Sequence, residues 1–158
     1  METQTQQQPR KRPHIWAIGG GKGGVGKSVV SILLALGLAR NNQKTVLVDA
    51  DLGAANLHTL MGIKTPARNL NDLITQKYDR IEDICVQTQV RNLRLVCGAS
   101  EILYYANPQF SQKLRIVQSI AQLAADHVIL DLGAGTSYNV LDFFLIADTP
   151  VIVMTPQP

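Results

Sequence analysis

From residue 15 to residue 40 the chain reads as a buried strand, a glycine-rich turn and a helix, a succession that few folds can accommodate. The turn, Gly21-Lys22-Gly23-Gly24-Val25-Gly26-Lys27-Ser28, meets every fixed position of the pattern G-x-x-x-x-G-K-[ST]. Its four glycines let the backbone curl so that successive N–H groups aim at one anion. Lys27 then reaches the β- and γ-phosphates of a nucleotide, and the Ser28 hydroxyl ligates Mg²⁺. Ile15-Trp16-Ala17-Ile18 is the strand that enters the turn, and Val29 to Arg40 is the helix whose N-terminus points at the phosphate. A glycine-rich turn that matched by chance would lack this context. Lys22 is one lysine more than the motif needs.

The rest of the chain repeats the alternation. Thr45-Val46-Leu47-Val48 reads as a second buried strand ending in Asp49, and Leu93-Arg94-Leu95-Val96 as a third, edged by Cys97-Gly98. His127-Val128-Ile129-Leu130 is a fourth, ending in Asp131, and Val151-Ile152-Val153-Met154 a fifth. Between them, Asn69 caps a short helix with Leu70, Leu73 and Ile74 on one face, and Ile81 and Ile84 suggest a further turn. Ser111 to Ala125 carries a broad apolar face at helical spacing, and Asn139 to Ala147 is a last apolar helix. Near-continuous apolar strands alternating with helices predict an α/β fold of three layers, a mostly parallel sheet with helices on both faces. Ligands of such sheets bind beyond the carboxyl ends of the strands, so the glycine-rich turn, Asp49 and Asp131 should converge.

Two acidic loops follow from this placement. In Asp49-Ala50-Asp51-Leu52-Gly53-Ala54-Ala55-Asn56, a carboxylate leaving a buried strand needs a partner, and Mg²⁺ with its waters would supply one for Asp49. Asp51 is free to approach the γ-phosphate and hold the attacking water, or it shapes the turn. In Asp131-Leu132-Gly133-Ala134-Gly135, an acid closing a strand beside a phosphate-binding loop is placed to hold Mg²⁺ directly or through water. Its glycines would let the loop move with the γ-phosphate, a structural turn being the alternative. The metal set expected is thus Ser28, Asp49 and Asp131. His14, His58 and His127 are scattered and read as packing or surface residues. Tyr104-Tyr105 could meet a partner or cover the sheet edge.

Composition narrows the class. Of 158 residues, 46% are hydrophobic and 17% charged, which suits a cytoplasmic globular protein. The longest apolar run, Val29 to Ala39, is shorter than the ~20 residues a membrane span needs, and no secretory signal is visible. Cys85 and Cys97 form no C-x-x-C pair and read as reduced, partly buried thiols. The net charge of +3 owes much to Arg10-Lys11-Arg12, so residues 1–13 are expected to be a disordered basic arm and 14–158 the folded domain.

Lys22 after the first glycine, Lys27-Ser28, the D-x-D-x-G…N of Asp49 to Asn56 and the Asp131-Leu-Gly-Ala-Gly loop together resemble the MinD/ParA family of deviant Walker P-loop ATPases. Asp51-Leu-Gly-Ala-Ala-Asn-Leu-His-Thr-Leu-Met-Gly62 resembles the MinD branch, which includes the MinD-like ATPases that set flagellar number and placement. The resemblance covers about residues 14–156. It implies a P-loop NTPase fold, ATP and Mg²⁺ as cofactors, and an ATP-dependent sandwich homodimer whose slow hydrolysis an activating partner raises. Gly21, Lys22, Gly23, Gly24, Val25, Gly26, Lys27, Ser28 and Val29 would line the nucleotide, with Asn56 in the first switch. Lys22, Lys27 and Asp51 would be catalytic, Lys22 acting across the dimer as an arginine finger does. Family members continue past the point where this chain stops, at Pro158, so the family's C-terminal part, including the amphipathic membrane helix of MinD proteins, is expected to be missing.

The function expected is a switch that positions a flagellum, a division site or a polar assembly. A truncated nucleotide-binding interaction module with little hydrolysis is the alternative from another class. A DNA-partition ATPase of the ParA kind would show salt-sensitive binding to non-specific DNA. An iron–sulfur carrier is disfavoured, because the Asp131 loop has no cysteine.

Overall fold

The computed structural model describes residues 11–51, 54–64, 66–98, 110–136 and 138–156. Six strands form one sheet in the order β3-β4-β2-β5-β1-β6: β1 His14–Gly20, β2 Thr45–Ala50, β3 Cys85–Gln87, β4 Leu93–Val96, β5 His127–Ala134 and β6 Thr149–Ile152. Every pairing is parallel except β3 with β4 at the edge. The helices are α1 Lys27–Arg40, α2 Leu57–Leu60, α3 Leu70–Ile74, α4 Phe110–Ala121 and α5 Tyr138–Leu145, with a 3-10 turn at Ile81–Ile84.

Side chains of a strand alternate between faces, and here both faces are apolar. Ile15, Ala17, Val46, Val48, Val128 and Leu130 share one core with residues of α3, α4 and α5. Ile18, Leu47, Leu93, Leu95 and Ile129 share the other with Ala35 and Ala39 of α1. The predicted three-layer arrangement with helices on both faces is what the molecule has. Helix α1 buries Lys27, Ser31, Ala35 and Ala39, one residue per turn, and the two alanines on that stripe let it lie close on the central strands. Asn69 caps α3 as predicted: its side chain accepts from Asn71 N while Asp72 reaches back to the backbone of Asn69.

The differences are local. A sixth strand, β3, escaped the pattern because its three residues are half-buried or exposed and carry no periodicity. Strand β6 begins at Thr149 rather than Val151 and closes at Ile152; Pro150 lies within it, as edge strands tolerate. Helix α4 stops at Ala121 and α5 at Leu145, each short of the predicted end. Cys85 belongs to the core of one sheet face and Cys97 to that of the other, so the two thiols are not placed to pair. Burial pushes them up to about 11 and about 12 respectively.

Of the expected basic arm, residues 1–10 lie outside the described residues. Arg12 bonds Asp148 at 3.3 Å and the Ile146 carbonyl at 3.1 Å. Leu52, Gly53 and Tyr104-Tyr105 also lie outside. Among the described residues, no helix is long and apolar enough to cross a membrane.

Candidate functional site

Strand β1 delivers the glycine-rich turn to the carboxyl edge of the sheet, and α1 leaves from it. The turn needs left-handed backbone at Gly24 (φ 74°) and at Gly26 (φ 94°), the residue capping α1, so side chains there would be strained. Gly21 and Gly23 have no such backbone need, and a Cβ on any of the four would meet nothing within 4 Å. What they leave open is the space over the loop, where a phosphate would need close approach to backbone N–H groups. Lys27 is buried, and its ammonium bonds the Lys22 carbonyl at 3.2 Å, across the turn it is expected to serve. Lys22 and Val29 are exposed, and Val25 and Ser28 half-buried.

The two acids converge as the sheet rules require. Asp49 and Asp131 are register partners on β2 and β5, and period-two alternation puts both on the face that α1 covers. Both are buried. Burial raises Asp49 to about 7, against backbone hydrogen bonds that lower it, and Asp131 adds repulsion. Asp131 is also raised by burial, while Ser28, Ser31 and Lys27 pull the other way.

Their partners differ. Asp131 accepts from the Ser31 hydroxyl at 2.7 Å, and the Ser28 hydroxyl lies near enough to steady its charge. Asp49 accepts from backbone: Leu57 N at 2.9 Å and Asp51 N at 3.4 Å. Asp49 therefore depends less on an external cation than its burial alone suggests, because the loop itself supplies two donors. Asp51 accepts from Ala54 N at 3.0 Å, so the turn-shaping role weighed for it is present. Its carboxylate also lies over Gly133, where a Cβ would sit 3.1 Å from Oδ1. The two acidic loops thus touch at one glycine. Asn56 is exposed and precedes α2.

Sequence reasoning missed two residues of this site. Ser31 carries a signal only once β5 is known to run beneath α1. Gly98 stands at the end of β4, where a Cβ would meet Ala55 Cβ at 2.6 Å and the Asp49 carbonyl at 2.9 Å. A glycine after a strand looks like any turn until its neighbour strand is known.

The family model for ParA, the NUBPL iron-transfer P-loop NTPases, matches residues 11–158. The chain belongs to this family. As a ParA-family P-loop NTPase it is 33% identical over 146 residues to the antiactivator FleN of Pseudomonas aeruginosa, covering 91% of this chain and 51% of that protein. It is 36% identical over 149 residues to the flagellum site-determining protein YlxH of Helicobacter pylori, covering 90% of this chain and 48% of that protein. The septum site-determining protein MinD of Pyrococcus horikoshii OT3, solved with Mg-ADP, superposes with a TM-score of 0.80 at 26% identity, covering 92% of this chain and 59% of that one. The chain spans about half the length of the relatives FleN and YlxH. Membership of the MinD/ParA family, expected from the loop and the two acidic segments, is met.

Proposed function

We propose that this ParA-family chain is a Mg-ATP-binding and hydrolysing switch that dimerises on ATP and positions a cellular structure such as a flagellum, a division site or a polar assembly. The observation that carries the reading is the convergence of Ser28, Asp131, Asp49 and Asp51 at the carboxyl end of the sheet, beside the turn that holds Lys27. The names of FleN, YlxH and MinD supply the biological class.

The donor set fits a hard cation. Ser28, Asp131 and Asp49 offer only oxygen, and two buried carboxylates in register repel one another, a cost that a divalent ion offsets. When bound, Mg²⁺ neutralises charge on the phosphate oxygens. In this reading Ser28 and Asp131 hold it, and Asp49 adds charge from the next strand. The backbone N–H groups from Gly21 to Ser28 cradle the phosphates, Lys27 binds their oxygens, and Val29 and Asn56 flank the nucleotide. Asp51 orients the attacking water by accepting its hydrogen bond on one carboxylate oxygen while the other keeps Ala54 N. Lys22, exposed on the loop, serves the nucleotide of a second copy.

The test is ATP turnover per subunit as a function of protein concentration, in wild type and Lys22→Ala. A rate that rises with concentration in wild type and is absent in Lys22→Ala, with nucleotide affinity retained, supports the reading. Equal rates in the two proteins would refute the trans role of Lys22. A second reading, a nucleotide-binding interaction module with little hydrolysis, is favoured by the Asp51–Ala54 bond, which ties one carboxylate oxygen of that residue into its own turn. Binding without turnover at any concentration selects it.

A further inference from the structure

Two hydroxyls from successive turns of α1 stand beside Asp131, and only Ser28 belongs to the glycine-rich motif. The other, Ser31, is fully buried, with Oγ 2.7 Å from Asp131 Oδ1 and 3.0 Å from the Lys27 carbonyl. A hydroxyl carries one proton, and the shorter contact with a carboxylate takes it. The Lys27 carbonyl is the i−4 acceptor that the α-helical ladder already serves.

The buried stripe of α1 shows what packing alone requires. Ser31 is followed on that stripe by Ala35 and Ala39, which lie equally deep against the sheet. A small side chain satisfies each place. Ser31 differs from alanine by one oxygen, and a buried hydroxyl costs free energy unless it is bonded. That oxygen is on Asp131.

We propose that Ser31 is a positioning residue: by tying Oδ1 it stops the Asp131 carboxylate from turning and keeps it against Ser28, so that both present oxygen to Mg²⁺. This rests on the cation site assigned above. Groups that orient a metal ligand from behind contribute about 10- to 100-fold to metal affinity.

The test uses the 158-residue chain and a fluorescent ADP analogue, titrated with Mg²⁺. In wild type, Mg²⁺ tightens nucleotide binding. In Ser31→Ala the Mg²⁺ concentration giving half of that effect rises about 10- to 100-fold, while affinity without Mg²⁺ stays within about twofold. Ser31→Thr, which keeps the hydroxyl, restores the wild-type midpoint. Should the added methyl prevent folding, Ser31→Cys serves instead: it keeps the shape, is a poor donor, and must behave as Ser31→Ala does. An unchanged Mg²⁺ midpoint in Ser31→Ala overturns the inference. So does an equal loss of affinity without Mg²⁺, since that marks a packing role. Wild type that binds the analogue with no response to Mg²⁺ overturns the cation assignment itself, and Ser31's role with it.

Discussion

Asp131 and Asp49 stand side by side on neighbouring strands, on one face and equally buried, yet they are tied down in opposite ways. Asp131 is held by the Ser31 hydroxyl of a fourteen-residue helix, with Ser28 beside it, and Asp49 by the backbone amides of Asp51 and Leu57 after β2. A hydroxyl changes partner by rotating about one bond, so Asp131 and Ser28 can accept a cation without moving the chain. Releasing Asp49 means moving Leu57 and Asp51, which carry the rest of the loop with them. On the proposed reading the β5–α1 corner would be a preorganised cation site, and the β2 end a latch on the loop that bears Asp51. Position beside a phosphate-binding loop does not by itself make two acids equivalent.

The largest effect is expected at the β5–α1 corner. Lys27→Ala removes the buried ammonium nearest the expected phosphates and the charge that steadies Asp131. Charge-assisted hydrogen bonds contribute about 1.5–3 kcal/mol each, so nucleotide affinity should fall on the order of 100-fold or more, read by calorimetric titration. Retained affinity would place the nucleotide elsewhere.

On the latch side, Gly98→Ala forces a Cβ against backbone at Asp49 and against Ala55. Overpacking of this kind costs about 1–3 kcal/mol, and thermal denaturation should show a midpoint several degrees lower. If stability is unchanged, the segment after β2 is looser than the latch requires.

Asp49→Asn sharpens the contrast through pH. The folded carboxyl titrates near 7, above its ordinary value of 3.8, so the folded state binds that proton more tightly than the unfolded state. Its contribution to stability is full below about 4 and is lost as pH rises through 7. Asparagine keeps the shape and cannot ionise. Chemical denaturation should therefore find the variant gaining on wild type as pH rises from 4 to 8, by a few kcal/mol at most. A constant difference would show that Asp49 is ionised throughout. Gly21→Ala has the smallest effect on folding, within about 0.5 kcal/mol, because its Cβ enters open space. Its consequence should be confined to nucleotide binding.

Much of this was legible in the sequence for physical reasons. Strands buried on both faces are apolar throughout, helices α4 and α5 show a 3.6 period, and acids at strand ends break the apolar run visibly. What stayed hidden depends on pairing. Ser31 looks like one more small residue of α1 until β5 is seen to pair with β1 and bring Asp131 beneath it. The partners of Asp49 are amides, which every residue has, and Leu57 N lies eight residues along a loop with no period. Helix α2 and strand β3, of four and three residues, are too short to show a period at all. The four glycines of the turn look alike in sequence, yet only Gly24 and Gly26 adopt left-handed backbone.

In the proposed function ATP, and not ADP, changes the state of the molecule. Light scattering of the 158-residue chain in Mg-ATP and then in Mg-ADP tests it directly. The expected result is a dimer in Mg-ATP that returns to monomer in Mg-ADP. A monomer in both nucleotides would contradict the dimer switch and leave nucleotide binding as the function of this chain.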